Sequence, residues 1–222
     1  MKKTAVMIYR AFCMQEISCL TDWLVGLGKP MIVCAADHQP VKTEEGFTVL
    51  PEFSYDEVNL DEINCLILPG ISEFPEVLKD QRQLDFLARL KERPDILIAS
   101  ISVSPVLLAA AGLLEGICYC GGFYQEVLDD LPFMEKENFR FEPIVVEGNI
   151  MTAFGGAFRE FALAVMEKLG FEVPADTFGP LAENWTRDKL NFTMESEVEK
   201  TYWKNALAML KRECPQFFEK RG

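Results

Sequence analysis

Short, continuously apolar runs alternate along this chain with amphipathic stretches of helical spacing, and few architectures accept that order. A strand buried on both faces reads as an unbroken apolar run, as residues 4–9, 30–35, 64–68 and 96–101 do. Residues 16–27 set Ile17, Leu20, Leu24 and Leu27 three or four apart, the spacing of one helix face, and Gly28 is a natural stop. Residues 76–91 repeat the pattern with Leu84, Leu87 and Leu90, and residues 106–111 and 158–169 are further helices, stopped by Gly112 and Gly170. Residues 46–50 and 53–55 form short extended pieces around Pro51. Residues 118–119, 144–147 and 150–152 read as strands, the last two joined by a Gly148-Asn149 turn. The expected fold is α/β: a three-layer sandwich with a mostly parallel central sheet.

The pattern changes near Val173-Pro174. Beyond it no run reads as a parallel strand, and residues 195–212 form a polar helix with Val198, Trp203, Leu207 and Leu210 on its apolar side. The expected division is a core of residues 1–172 and a helical C-terminal extension of residues 173–222 packed on it, too short for a core of its own.

Charge and cysteine content narrow the function classes. The 22 basic and 35 acidic residues leave a net charge of −13, which repels nucleic-acid backbones, so no nucleic-acid partner is expected. No apolar run is long enough for a membrane helix, and Arg10 cuts the apolar start too short for a secretory signal. Seven cysteines, most of them inside apolar runs, fit a reducing, cytoplasmic compartment better than a disulfide framework. Cys118 and Cys120 are one residue apart with no second Cys/His pair at zinc-site distance, so neither a metal nor a cofactor is expected.

The chemistry is expected where the run 96–101 turns abruptly into an alanine-rich helix. Ser102 stands at that turn, the arrangement of a nucleophile elbow that lifts one side chain above the sheet edge. The other reading is an ordinary connection in which Ser102 or Ser104 caps the helix.

At these residues the chain resembles the ThiJ/PfpI family, the DJ-one group of the class I glutamine amidotransferase-like superfamily. The resemblance runs from about residue 4 to 170 and rests on landmarks in order: Val6-Met7-Ile8, then Glu16, then Leu66-Ile67-Leu68-Pro69-Gly70, the elbow 98–105 with Leu107-Leu108-Ala109, Gly155-Gly156, and Glu160-Phe161-Ala162-Leu163. It implies a flavodoxin-like sandwich, a homodimer and a site at the elbow. It also implies a reactive cysteine where this chain has Ser102, followed by Val103 and Ser104. The family's second glycine after Leu-Pro-Gly is Ile71 here, and a family histidine falls at or beside Cys120. Of these positions only Glu16 keeps its residue.

Serine needs a general base where a cysteine works as a thiolate. Glu16 is the candidate, expected to ionise readily with no thiolate beside it. Cys13, Gly70, Ile71, Val103 and Cys120 are expected to line the pocket. His38, the sole histidine, could join Asp37 and Ser102 as a catalytic set or stand in an exposed loop. Cys13 and Cys120 could be a relocated thiol pair or two buried apolar residues. Phe123, Tyr124, Phe133, Phe139 and Phe141 could cover the sheet, a dimer face or the pocket wall. Two functions follow: a non-catalytic, small-ligand-binding or regulatory protein, or an atypical hydrolase or amidotransferase-like enzyme using Ser102 with Glu16, or a thiol of Cys13 or Cys120.

Overall fold

The unbroken apolar runs stand side by side at the centre of one seven-stranded sheet. In the computed structural model, which describes residues 1–174, 176–179, 181 and 184–219, β1 (Lys3–Met7) pairs in parallel with β2 (Met31–Ala35) and with β6 (Ile63–Leu68). Strand β6 pairs with β7 (Leu97–Ile101), and β7 with β9 (Ile150–Ala153), both in parallel. The short β5 (Phe53–Ser54) forms one edge and β8 (Ile144–Glu147) the other, giving the order β5-β2-β1-β6-β7-β9-β8. Only the β8–β9 pair is antiparallel, turned by Gly148 at φ 59°. Strand β7 is buried at all five positions, as a strand covered on both faces must be. This is the expected flavodoxin-like α/β sandwich.

Helix α1 (Gln15–Gly26) packs against α6 (Phe158–Lys168), and α3 (Gln81–Ala88) against α4 (Pro105–Ala110). Ile17, Leu20 and Leu24 of α1 are buried, each contributing about 1.5–3 kcal/mol by leaving water. Gly28 takes φ 75° just after α1, a left-handed position that suits glycine.

Several elements depart from the sequence reading. The helix expected over residues 76–91 is two pieces, α2 (Phe74–Val77) and α3, because the Asp80 carboxylate accepts the Arg82 N–H and starts a new helix. Residues 46–50 contribute β4 (Thr48–Val49), which pairs with β3 (Val41–Lys42) in a hairpin outside the main sheet. Tyr119 makes an isolated bridge to Phe139 rather than a strand. The unforeseen α5 (Gln125–Asp129) follows it.

In the C-terminal region α7 (Arg187–Leu190) precedes α8 (Glu197–Glu213), which Ser196 caps by accepting the Val198 N–H. Leu207 and Leu210 of α8 are buried as expected. Val198 is 79% exposed, so its expected place on the apolar side is corrected: it lies in the first turn, beyond the reach of the core. Among the described residues no helix is long and apolar enough to cross a membrane.

Candidate active site

Strand β7 ends in the turn that carries Ser102. Its φ of 64° is left-handed, a conformation costing a non-glycine residue on the order of 1–3 kcal/mol, so the surroundings must hold it in place. They do so from both sides. The Ser102 N–H donates to the Ala153 carbonyl at 2.8 Å, and the Ser102 carbonyl accepts the Gly122 N–H at 2.7 Å. Ser104 anchors the turn from beneath rather than capping α4. Its buried hydroxyl accepts the Ile101 N–H at 3.1 Å and lies 3.0 Å from the Leu68 carbonyl, with no capping bond to the helix. The capping alternative is thereby set aside for Ser104, and the elbow geometry stands.

Glu16, in the first turn of α1, reaches Ser102 from the side. Its Oε2 accepts the Gly70 N–H at 2.9 Å, and the Ser102 hydroxyl lies close enough to the carboxylate to lower its pKa. At Gly70 and Gly155 the packing is so close that only glycine fits beside the pair. A Cβ on Gly70 would lie 2.1 Å from Glu16 Oε2 and 2.8 Å from Ser102 Cβ. A Cβ on Gly155 would lie 2.5 Å from Glu16 Oε1 and 2.9 Å from Ser102 Oγ. A Cβ on Gly121 would meet the Ser102 carbonyl at 2.7 Å, and one on Gly122 would sit 3.4 Å from Ser102 Oγ. Gly121, Gly122 and the site role of Gly155 escaped the sequence reading, although the doublets Gly121-Gly122 and Gly155-Gly156 were the signal that could have found them.

Glu16 does not ionise as readily as expected. Burial raises its pKa to about 7, and the negative charges of Glu44 and Glu45 push the same way. The Ser102 hydroxyl and the Gly70 N–H oppose them only in part. Near neutral pH the carboxyl is shared between its two forms, so it can either accept a proton from Ser102 or return one.

The remaining expected residues divide. Ile71 is buried behind Gly70, its backbone bridged to Phe12, and Val103 is half-buried at the elbow. The Cys13 N–H donates to the Gly70 carbonyl at 2.9 Å, which places Cys13 beside the site, but its sulfur turns to Glu45 Oε1 at 3.6 Å. The buried Cys120 sulfur faces the Thr152 carbonyl at 3.2 Å. The two thiols therefore have separate partners, and burial raises the pKa of each, that of Cys120 to about 12. Neither is an activated thiol, which counts against the relocated-thiol alternative.

His38 has no part in the site. Its Nε2 lies 2.8 Å from Glu57 Oε2 at the exposed surface, and Asp37 binds Arg82 at 3.0 Å. The Ser102–His38–Asp37 alternative is thus corrected, because Glu57 holds His38 and Arg82 of α3 holds Asp37.

Cys118 accepts a bond from the Arg140 guanidinium at 2.9 Å, so it and Cys120 do not converge on an ion. Among the described residues the ligand atoms of Cys13, Glu44 and Glu45 do lie within 4.8 Å of one another. Such a set would favour a divalent cation, yet the Cys13 thiol is biased strongly towards its protonated, non-ligating form.

Of the aromatics, Phe123 is buried with its ring over Gly121, and Phe139 packs edge-on to Tyr119 and Phe141. Tyr124 faces the C-terminal region instead, 6.3 Å from Phe192 and 6.4 Å from Trp203 between ring centres.

The chain that builds this elbow is similar to known proteins. Residues 2–168 match the family model described as the DJ-1/PfpI family. The chain is 28% identical over 138 residues to Protein dj-1beta of Drosophila melanogaster, covering 59% of this chain and 69% of that protein. It is 29% identical over 122 residues to Deglycase PfpI of Pyrococcus furiosus, covering 55% of this chain and 71% of the relative. The structure of a DJ-1 superfamily protein from Agrobacterium tumefaciens superposes with a TM-score of 0.68 at 25% identity, over 78% of this chain and 93% of that one. With the family model spanning the whole sheet, the elbow and Glu16, this chain belongs to the DJ-1/PfpI family.

Proposed function

We propose that this protein is a DJ-1/PfpI-family member with a degenerate nucleophile elbow, which binds a small molecule above Ser102 in a non-catalytic or regulatory role. The observation that carries this reading is the partner of Ser102. The hydroxyl meets a single carboxyl, Glu16, with a pKa of about 7, and the chain's one imidazole is held elsewhere by Glu57. A serine hydroxyl is far less acidic than a thiol, and a lone carboxyl is a weak base for it. The name Deglycase PfpI describes that relative; in this chain an activity of that kind would have to proceed without a thiolate at the elbow.

The test is turnover of small esters, amides and dicarbonyls by the native protein and by Ser102→Ala. Equal background rates support the binding role, and a rate lost in Ser102→Ala overturns it.

One observation favours a second reading, hydrolysis. The Glu16 carboxyl packs against Ser102 over Gly70 and Gly155, so a proton acceptor stands beside the hydroxyl. In that reaction Oγ bonds to the acyl carbon as its proton passes to Glu16. The leaving group then departs with that proton, and water splits the ester on Ser102. Labelling of Ser102 by a fluorophosphonate would support it.

The partners that fit are a small molecule and a second copy of this chain, in the cytoplasm, without nucleic acid. The division that fits is a core of residues 1–172 that carries the site and an extension of residues 173–222, whose described residues pack on the core.

A further inference from the structure

Three segments border Ser102, and each runs into or out of an aromatic ring. Phe74 follows the Gly70 loop, Tyr124 follows Gly121-Gly122, and Phe154 precedes Gly155. Each of these rings is met by a ring from beyond residue 183. Phe74 stacks on Trp203 at 5.4 Å between centres, and Trp203 reaches Tyr124 at 6.4 Å. Tyr124 meets Phe192 at 6.3 Å, Phe192 meets Phe154 at 5.4 Å, and Phe154 meets Trp185 at 5.3 Å. The six rings form one chain in which core and extension alternate at every step.

Hydrogen bonds fix the same contacts. The Gln125 N–H donates to the Phe192 carbonyl at 2.8 Å, the Tyr124 hydroxyl to Glu199 at 3.3 Å, and the Trp185 indole N–H to Glu160 at 3.1 Å. Phe192 is the centre of the span. It touches Phe154 on one wall and Tyr124 on the other. Ser102 Oγ lies between the neighbours of those two rings, close to where a Cβ on Gly155 or on Gly122 would sit.

We propose that Trp185, Phe192 and Trp203 form the mouth of the Ser102 site and determine its specificity, admitting a compact ligand that is not an anion. The size limit follows from three loops tied together by stacked rings, which resist spreading as three free loops would not. The charge limit follows from Glu16 at the floor and from Glu45, whose carboxylate accepts the neighbouring Gln15 N–H at 2.8 Å, since a negative field repels an incoming anion. This inference rests on the binding role proposed above and names the class of ligand for that site.

The test places a reporter thiol at the floor with Ser102→Cys and follows alkylation of the peptide containing residue 102 by mass spectrometry. The probes are iodoacetamide, iodoacetate and a biotin-linked maleimide, each rate being normalised to that with glutathione. Iodoacetamide is expected to react, iodoacetate about tenfold more slowly, and the bulky maleimide slowest of all. Adding Phe192→Ala should speed the maleimide about tenfold or more while changing iodoacetamide by less than about twofold. Trp185→Ala, at the end of the ring chain, is the second variant should Phe192→Ala fail to fold.

Equal normalised rates for the three probes in Ser102→Cys alone would overturn the proposal. So would a maleimide rate unchanged by an open-mouth variant, or no reaction with iodoacetamide at all. Failure of the binding role itself shows separately, as Ser102-dependent turnover in the unlabelled protein.

Discussion

The floor and the mouth of this site are held by different physics. At the floor, backbone groups and glycines set the geometry: Ser102 is clamped between Ala153 and Gly122, and Gly70 and Gly155 leave no space for one further carbon. At the mouth, side-chain rings 5.3–6.4 Å apart do the holding, with a few hydrogen bonds between them. A floor built from backbone tolerates almost no substitution, because relieving a clash means moving a strand or a helix. A mouth built from rings can lose one member and keep the rest, at the cost of a wider opening. The family model covers the floor but ends at residue 168, before any of the three extension rings.

The sharpest way to break the contrast is Gly70→Ala. Its Cβ must displace the Glu16 carboxylate and press on Ser102, so a loss of about 2–3 kcal/mol in urea unfolding is expected. A change below about 0.5 kcal/mol would mean that the floor is as yielding as the mouth.

Glu16→Gln comes next. The folded carboxyl holds its proton up to about pH 7, whereas the unfolded one loses it near its ordinary value of 4.5. Between those values the folded state binds more protons, so stability falls as pH rises from about 4.5 to 7 and levels off above. The total is on the order of 3 kcal/mol. Glu16→Gln should flatten that slope, measured by denaturant unfolding across the same pH range, and an unchanged slope would assign it to other groups.

Phe192→Ala should cost less, about 1–2 kcal/mol, because the remaining rings keep their contacts. Trp185 and Trp203 sit on either side of Phe192 in the ring chain, so tryptophan emission should shift to longer wavelength as water enters. Unchanged emission would mean that the rings do not act together.

The smallest effect is expected at His38→Ala. Its pairing with Glu57 is exposed, so a stability change below about 0.5 kcal/mol and unaltered ligand binding or labelling at residue 102 are expected. A large effect on either would bring His38 back to the site.

The runs that became β1, β6 and β7 were legible because burial on both faces leaves a strand few polar positions to interrupt it. The elbow was legible for a related reason, a strand running directly into an alanine-rich helix with Ser102 between them. The break at Asp80 was harder to see, since a capping carboxylate and an exposed helix carboxylate are the same residue type. Gly121 and Gly122 were also missed, since a glycine's value here depends on what stands opposite, and the Ser102 carbonyl comes from a distant strand.

Local pattern alone therefore determined the sheet, the family and the position of Ser102 and Glu16, because each follows from periodicity or from a short ordered motif. Tertiary structure alone decided the rest. Burial beside Glu44 and Glu45 made Glu16 a half-protonated group instead of a free carboxylate, and a desolvation cost depends on neighbours brought together from separate segments. Separate hydrogen-bond partners divided Cys13 from Cys120, and Glu57 kept His38 at the surface. The alternating rings over the elbow arise in the same way, from residues well separated along the chain that become neighbours only when the extension packs on the core.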